Sequence, residues 1–263
     1  MTDAIHPALT YSSYLALDEI LGAQRPRSDE HDEHLFIVIH QVYELWFKQL
    51  LHELVALQRW LAEGRTPQVL ATLRRSLTIL KVVVAQIDVL ETMTPRQFTS
   101  FRARLDASSG FQSAQFRELE AVLGRRDSRV FRHYPAGSTA RERIAVAMSR
   151  PSLFDSFLRY LVVSGYDVPA DALERDVSEQ VTRLPGIRPV LLAVYADDGN
   201  AAQVAERLVD LDEGFQEWRY RHVKMVERTI GDKAGTGGSS GAAYLRTTIA
   251  PAFGDLWAIR SEL

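Results

Sequence analysis

The chain has 263 residues, 46% of them hydrophobic and 25% charged, with a formal net charge of −3; this balance suits a globular protein and offers no electrostatic handle for nucleic acid or an anionic membrane. Cysteine is absent, which excludes disulfides, zinc–thiolate sites, iron–sulfur clusters and a cysteine nucleophile, so any metal is held by nitrogen or oxygen. No window approaches the apolar length of a membrane span and residues 1–10 have no leader pattern, so the expected compartment is the cytoplasm.

Near the start, Tyr11 and Tyr14 stand three apart and share one helix face. From Asp29 to Gly64 the residues Leu35, Ile39, Val42, Trp46, Leu50, Leu54, Leu57 and Leu61 recur at steps of three or four, which predicts one long helix. Ser28 is its expected N-cap, with acidic residues in the first turn where the helix dipole favours them. A second long helix is expected over Thr66–Thr92; its Val82-Val83-Val84 run resembles a strand but sits in helical spacing without turn signals. Thr94-Pro95 has the cap-then-proline form that opens a helix, expected to carry Phe98 and Phe101 with Arg102 near its middle, before a turn at 107–110. Helices are then expected at about 112–123, 139–148, 151–164, 172–182, 186–197 and 201–230, with a basic, irregular crossing over 124–139. No repeat and no linker divides the chain, so the expectation is one all-α domain over residues 1–263.

Chemistry concentrates on two helices. Along the final long one, Val204, Leu208, Leu211, Phe215, Trp218, His222 and Met225 follow one another at steps of four and three, which puts His222 in an apolar seam. Spacing alone leaves two roles for it: a core histidine satisfied by a backbone carbonyl, or an axial ligand, since imidazole binds iron well and a helix fixes its direction. Phe36, His40, Tyr43 and Phe47 form a similar row on the first long helix. Two facing helices that each bury a histidine can wall a haem. His31 and His34 lie at a helix start among acids and read as solvated, as does His52. Arg102, with aromatic neighbours, is a candidate carboxylate clamp. Five of the fifteen glycines fall between Gly231 and Gly241. This run has no preceding strand and no GK[ST] ending, so it fails as a phosphate loop and is expected to be a lid whose backbone and Thr236 hydroxyl reach a ligand.

Taken together, Tyr11-Ser-Ser-Tyr14, the run His31-Asp-Glu-His-Leu-Phe-Ile-Val-Ile-His-Gln-Val-Tyr-Glu-Leu-Trp-Phe-Lys48, Leu90-Glu-Thr-Met-Thr94, Phe101-Arg102, Ser108-Ser-Gly-Phe-Gln-Ser113, Trp218-Arg-Tyr-Arg-His222 and Lys233-Ala-Gly-Thr-Gly-Gly-Ser-Ser-Gly241 resemble the tryptophan 2,3-dioxygenase family over nearly the whole chain. The resemblance implies haem b, ferrous in the active form, with His222 as its proximal ligand and Ser109 near its edge. It implies L-tryptophan and O2 as substrates, with both oxygen atoms ending in N-formylkynurenine. His40 would be the catalytic histidine on the distal side, in a substrate pocket of Phe36, Ile37, Val38, Ile39, Phe98 and Leu105; Arg102 would bind the carboxylate and Thr236 the amino-acid end.

Tyr11 and Tyr14 would come from a neighbouring subunit of a homotetramer, on an N-terminal segment of about residues 1–28 that crosses between protomers. Phe98 stands where some bacterial members carry a tyrosine, which leaves the clamp to rely more on Arg102. Two rival functions stand beside this: a related haem monooxygenase that inserts one oxygen into a tryptophan derivative and would share these first contacts, and a haem gas sensor without turnover, against which the lid and the carboxylate clamp argue.

Overall fold

The computed structural model describes residues 8–106, 108, 110–180, 183–233 and 241–263. Among the described residues every regular element is a helix and none is a strand. Two short helices, α1 (Tyr11–Leu15) and α2 (Leu17–Leu21), precede two long ones, α3 (His31–Ala62) and α4 (Thr66–Leu90). Shorter elements follow: α5 (Pro95–Arg102), α6 (Ala114–Val122), α7 (Thr139–Met148), α8 (Leu153–Val163), α9 (Ala170–Leu173) and α10 (Ile187–Asp197). Then come the 31-residue α11 (Asn200–Ile230), α12 (Ala242–Arg246) and α13 (Gly254–Ala258).

The core lies where α4 packs against both α3 and α11, with α8 and α6 also against α3. Leu50, Leu54, Leu57 and Leu61 of α3, Leu73, Leu80, Val83 and Ile87 of α4, and Val204, Leu208 and Leu211 of α11 belong to one buried apolar cluster. Each such side chain contributes about 1.5–3 kcal/mol when fully buried. That outweighs the few tenths of a kcal/mol by which valine disfavours helix, so the valine run stays helical, with Val83 and Val84 inward and Val82 outward. Gly214 lets α11 approach α4 closely: a Cβ there would lie 3.1 Å from Leu77 Cδ1 and 3.5 Å from Leu80 Cδ1. Nearby, Arg221 of α11 bonds Asp88 of α4 at 2.6 Å.

Several local expectations are corrected. Ser28 does not cap α3; Glu30 holds that position without a side-chain bond. The Glu33 carboxylate of the first turn instead reaches back to the backbone N–H groups of Arg27 and Ser28, each at 2.8 Å, and accepts the Ser28 hydroxyl. Arg102 ends α5 rather than standing in its middle, although Thr94 caps that helix in a reciprocal pair with Gln97. The helix expected over 172–182 is a single turn at Ala170–Leu173. It stops because Arg175 turns to grip Asp155 at 2.8 and 2.7 Å, while Asp176 accepts from the Ser178 N–H at 2.8 Å and bends the chain. The basic crossing contains a 3-10 helix at Ser128–His133 capped by Asp127.

Beyond the glycine run the chain returns along α11, meeting Glu227, then Arg219, then Asp212. This return depends on Asp212, a buried carboxylate that accepts the N–H groups of Ala252 and Phe253 and the Trp257 indole N–H, all at 3.0 Å.

Candidate active site

The first half of α3 and the second half of α11 line a chamber that is partly open to solvent and encloses, with that open space included, about 1570 Å³. Its walls are mostly apolar: Phe36, Tyr43 and Phe47 from α3, Ile87 and Leu90 from α4, Phe98 from α5, Phe116 from α6, Trp218 and Met225 from α11, and Leu245 from α12. The 3.6-residue period puts Phe36, His40, Tyr43 and Phe47 on one stripe of α3, and Trp218, His222 and Met225 on one stripe of α11. The sequence pattern of each helix is therefore the surface of the chamber.

His222 hydrogen-bonds to no described residue, and its half-buried ring lines the chamber. Burial pushes its pKa down to about 4, with His40 and Arg117 adding smaller effects in the same direction. The structure thus removes the reading of His222 as a core histidine satisfied by a carbonyl, and leaves a neutral imidazole with lone-pair capacity facing a cavity. Trp218 stacks on it, ring centroids 5.1 Å apart and planes 20° from parallel, and the Trp218 indole N–H is buried without a partner among the described residues.

His40 is held differently. Its Nδ1 lies 2.7 Å from the Phe36 carbonyl oxygen; a carbonyl only accepts, so Nδ1 carries the proton and Nε2 is an acceptor. Burial lowers its pKa from the ordinary 6.5, opposed by that bond and by Glu44, which keeps the ring neutral. Gly110 stands on the Nε2 side, where a Cβ would come within 3.8 Å. Phe36 packs on the His40 ring at 4.1 Å between centroids and meets Phe98 and Phe101 at 5.8 and 5.7 Å, an aromatic wall above which Arg102 lines the chamber.

The chamber brings together Phe36, His40, Phe98, Arg102 and His222 of the expected residues. Ile37, Val38, Ile39 and Leu105 are not on its lining, and Ile39 points into the core. Tyr11 and Tyr14 are 77% and 74% exposed and stand away from it. Ser109 and Thr236, with most of the glycine run, lie outside the described residues. Sequence reasoning missed Phe116, Glu44 and the charged group Arg117, Glu120 and Arg219, all of which line the chamber; charges that meet across long sequence separations leave no periodic mark.

His31, His34 and His52 are exposed, and among the described residues no group of three or more His, Cys, Asp or Glu is placed to hold a metal. No described helix is long and apolar enough to cross a membrane.

By class, then, this is a protein whose described residues are all-α, with an apolar ligand chamber lined by two helix-borne histidines, one of which hydrogen-bonds to no described residue. A family model described as Tryptophan 2,3-dioxygenase matches residues 2–164 and 167–263. The chain is 66% identical to the tryptophan 2,3-dioxygenase of Anaeromyxobacter sp. (strain K) over 271 residues, covering 100% of both chains. It is 57% identical to that of Herpetosiphon aurantiacus, over 97% of this chain and 99% of the other, and 43% identical to that of Caulobacter vibrioides, over 97% and 98%. The chain belongs to the tryptophan 2,3-dioxygenase family.

Proposed function

We propose that this protein is a haem-dependent dioxygenase that cleaves the indole C2=C3 bond of L-tryptophan with O2 to give N-formyl-L-kynurenine, the first step of tryptophan degradation by the kynurenine pathway. Beside family membership, the observation that carries this is the neutral His222 imidazole, without a hydrogen bond to any described residue, lining the same apolar chamber as His40.

The residues present fit haem b. A planar porphyrin needs apolar walls and one strong imidazole, and the chamber supplies Phe47, Phe116, Trp218 and Met225 around His222. His222 would hold the iron, with Ser109 near the ring edge. When bound, ferrous haem supplies the site at which O2 is activated.

The chain's own residues do the rest. Arg102 offers a guanidinium for the substrate carboxylate, and Phe36 and Phe98 give the indole a flat aromatic rest. His40 Nε2, an acceptor because Nδ1 donates to Phe36, receives the indole N–H and fixes the ring's rotation. We assign His40 to positioning of the indole rather than to removal of its proton. Thr236 would hold the amino-acid end, and the Phe36–His40 turn, including Ile37, Val38 and Ile39, and Leu105 would support the pocket from behind. Orientation of this kind can lower the barrier by several kcal/mol.

The functional unit we propose is one domain of residues 1–263 assembled as a homotetramer, with about residues 1–28 crossing to a neighbour. The exposure of Tyr11 and Tyr14 supports that crossing. A cytoplasmic setting, without nucleic-acid or membrane partners, completes the proposal.

An absorbance time course tests the function: L-tryptophan added to haem-loaded, reduced protein should yield N-formylkynurenine steadily, and no product would overturn it. Under labelled O2 the product should carry two labelled atoms with the ring opened; one atom with the ring intact would mark the monooxygenase instead.

A further inference from the structure

The N-terminal arm, α1 and α2 with the segment that joins them to α3, has a defined shape but little support of its own. Thr10 and Ser13 cap α1 in a reciprocal pair, and Ala16 turns the chain into α2 through the left-handed backbone region, at φ 50° and ψ 45°, a conformation that is strained for alanine. Helices of five residues do not hold alone in water, and neither α1 nor α2 buries a residue. Leu9, Tyr11, Tyr14 and Leu21 are 72–77% exposed.

The root of the arm is pinned instead. Glu33, in the first turn of α3 and 1% exposed, accepts the N–H groups of Arg27 and Ser28, each at 2.8 Å, and the Ser28 hydroxyl. About two turns further along α3, Gln41 donates to the Ala23 carbonyl at 3.3 Å and accepts from the Gln24 amide at 2.7 Å. Glu30 accepts the Ser100 hydroxyl of α5 at 2.9 Å. Residues 23–30 therefore run back along α3, antiparallel to it, and α2 departs beside Gln41, the residue after His40.

All the hydrogen bonds of the Glu33 carboxylate go to two residues of this root. A buried charge is a costly way to add stability and an effective way to fix a register. A two-fold exchange of arms rooted beside α5 and the His40 turn brings each tip to the same region of the other copy.

We propose that Glu33, together with Gln41, is a positioning residue for the active site of the neighbouring subunit: the two set the direction in which the arm leaves, and so where Tyr11 and Tyr14 arrive on a second copy of the chain. This rests on the crossing of the arm proposed above.

The test uses the full-length haem-loaded enzyme and three variants: Glu33→Gln, Gln41→Leu, and the double change Tyr11→Ala with Tyr14→Ala. Deuterium uptake by residues 8–28 should rise in the first two. The KM for tryptophan should rise at least about fivefold in Glu33→Gln, the scale of one weakened charge-assisted hydrogen bond, and about twofold or more in Gln41→Leu, which loses neutral bonds only. In both, kcat should stay near the wild-type value and the imidazole-ligated ferrous spectrum should be unchanged. Gln41→Leu does not touch α5, so its rise in KM separates the arm from any effect on the substrate wall, and it decides alone if Glu33→Gln does not fold. Unchanged deuterium uptake, a wild-type KM, or a loss confined to kcat would overturn the positioning role; the crossing itself still stands if the tyrosine variant raises KM. A wild-type KM in the tyrosine variant would overturn both.

Discussion

Trp218 lies face to face with His222, one helical turn away on α11. The stack restricts rotation of the imidazole about its own axis, so the direction of the proposed iron bond is set by two side chains rather than one. His222→Ala should abolish the imidazole-ligated ferrous spectrum. Trp218→Phe, which keeps an aromatic face, should retain it, and Trp218→Ala should bind haem more weakly. Resonance Raman of the iron–histidine stretch is the measurement, and an unaltered band in His222→Ala would refute the ligand assignment.

Arg102 is expected to matter in proportion to the substrate's carboxylate. For Arg102→Ala the loss in kcat/KM towards tryptophan should be about 2–5 kcal/mol, as for a buried charge that loses its partner. Tryptamine, which has no carboxylate, should be a poor substrate of the wild type and should not worsen further in the variant. Equal turnover of both compounds by the wild type contradicts the clamp.

The acid limb of the pH profile should reflect His40. Burial holds its folded pKa below 6.5, so in the unfolded chain the ring gains a proton near 6.5 while in the folded one it does not. Stability from the neutral ring is therefore present above that value and is lost as pH falls below it. Glu44 on the same helix opposes the shift, and His222, Arg117, Glu120, Arg219 and Tyr244 are the titratable groups on the other walls of the chamber. We expect kcat/KM to be level through pH 6.5 and to fall only below it, with Tm falling over the same range. A limb centred at 6.5 or above would contradict this.

Gly110 leaves open the space beside His40 Nε2 that an indole N–H must occupy, and a Cβ there already makes van der Waals contact at 3.8 Å. Gly110→Val should therefore raise the KM for tryptophan while haem affinity stays as in the wild type. A titration showing equal loss of both would place Gly110 in the support of the cofactor instead.

Asp212 is a stability hub. Its carboxylate takes two backbone N–H groups and one indole N–H, and Asp212→Ala strands all three at about 1–3 kcal/mol each. Chemical denaturation should show a loss of at least about 3 kcal/mol, and a loss below 1 kcal/mol would mean that water replaces the carboxylate freely.

Much of this arrangement was legible in one dimension, and the reason differs by element. The long helices announce themselves because Leu50, Leu54, Leu57 and Leu61 repeat with the helix period, and the same period exposes Phe36 with His40 and Trp218 with His222. Ile37 to Ile39 show its limit: neighbours in sequence point to different faces, so only the ends of that turn reach the chamber. The helix expected over 172–182 failed where Arg175 found Asp155, a tertiary partner twenty residues away. Glu120 meets Arg219 across 99 residues, which no local pattern encodes, and the Asp212 anchor for the returning chain was invisible for the same reason.

That return gives the chamber a history as well as a shape. Both histidines are synthesised before Tyr244, Leu245 and Thr248, the residues that complete the wall beside α11. The wall on that flank is therefore the last part of the chamber to be made, and it stands only because Arg219 and Asp212 of α11 hold the segment that carries it.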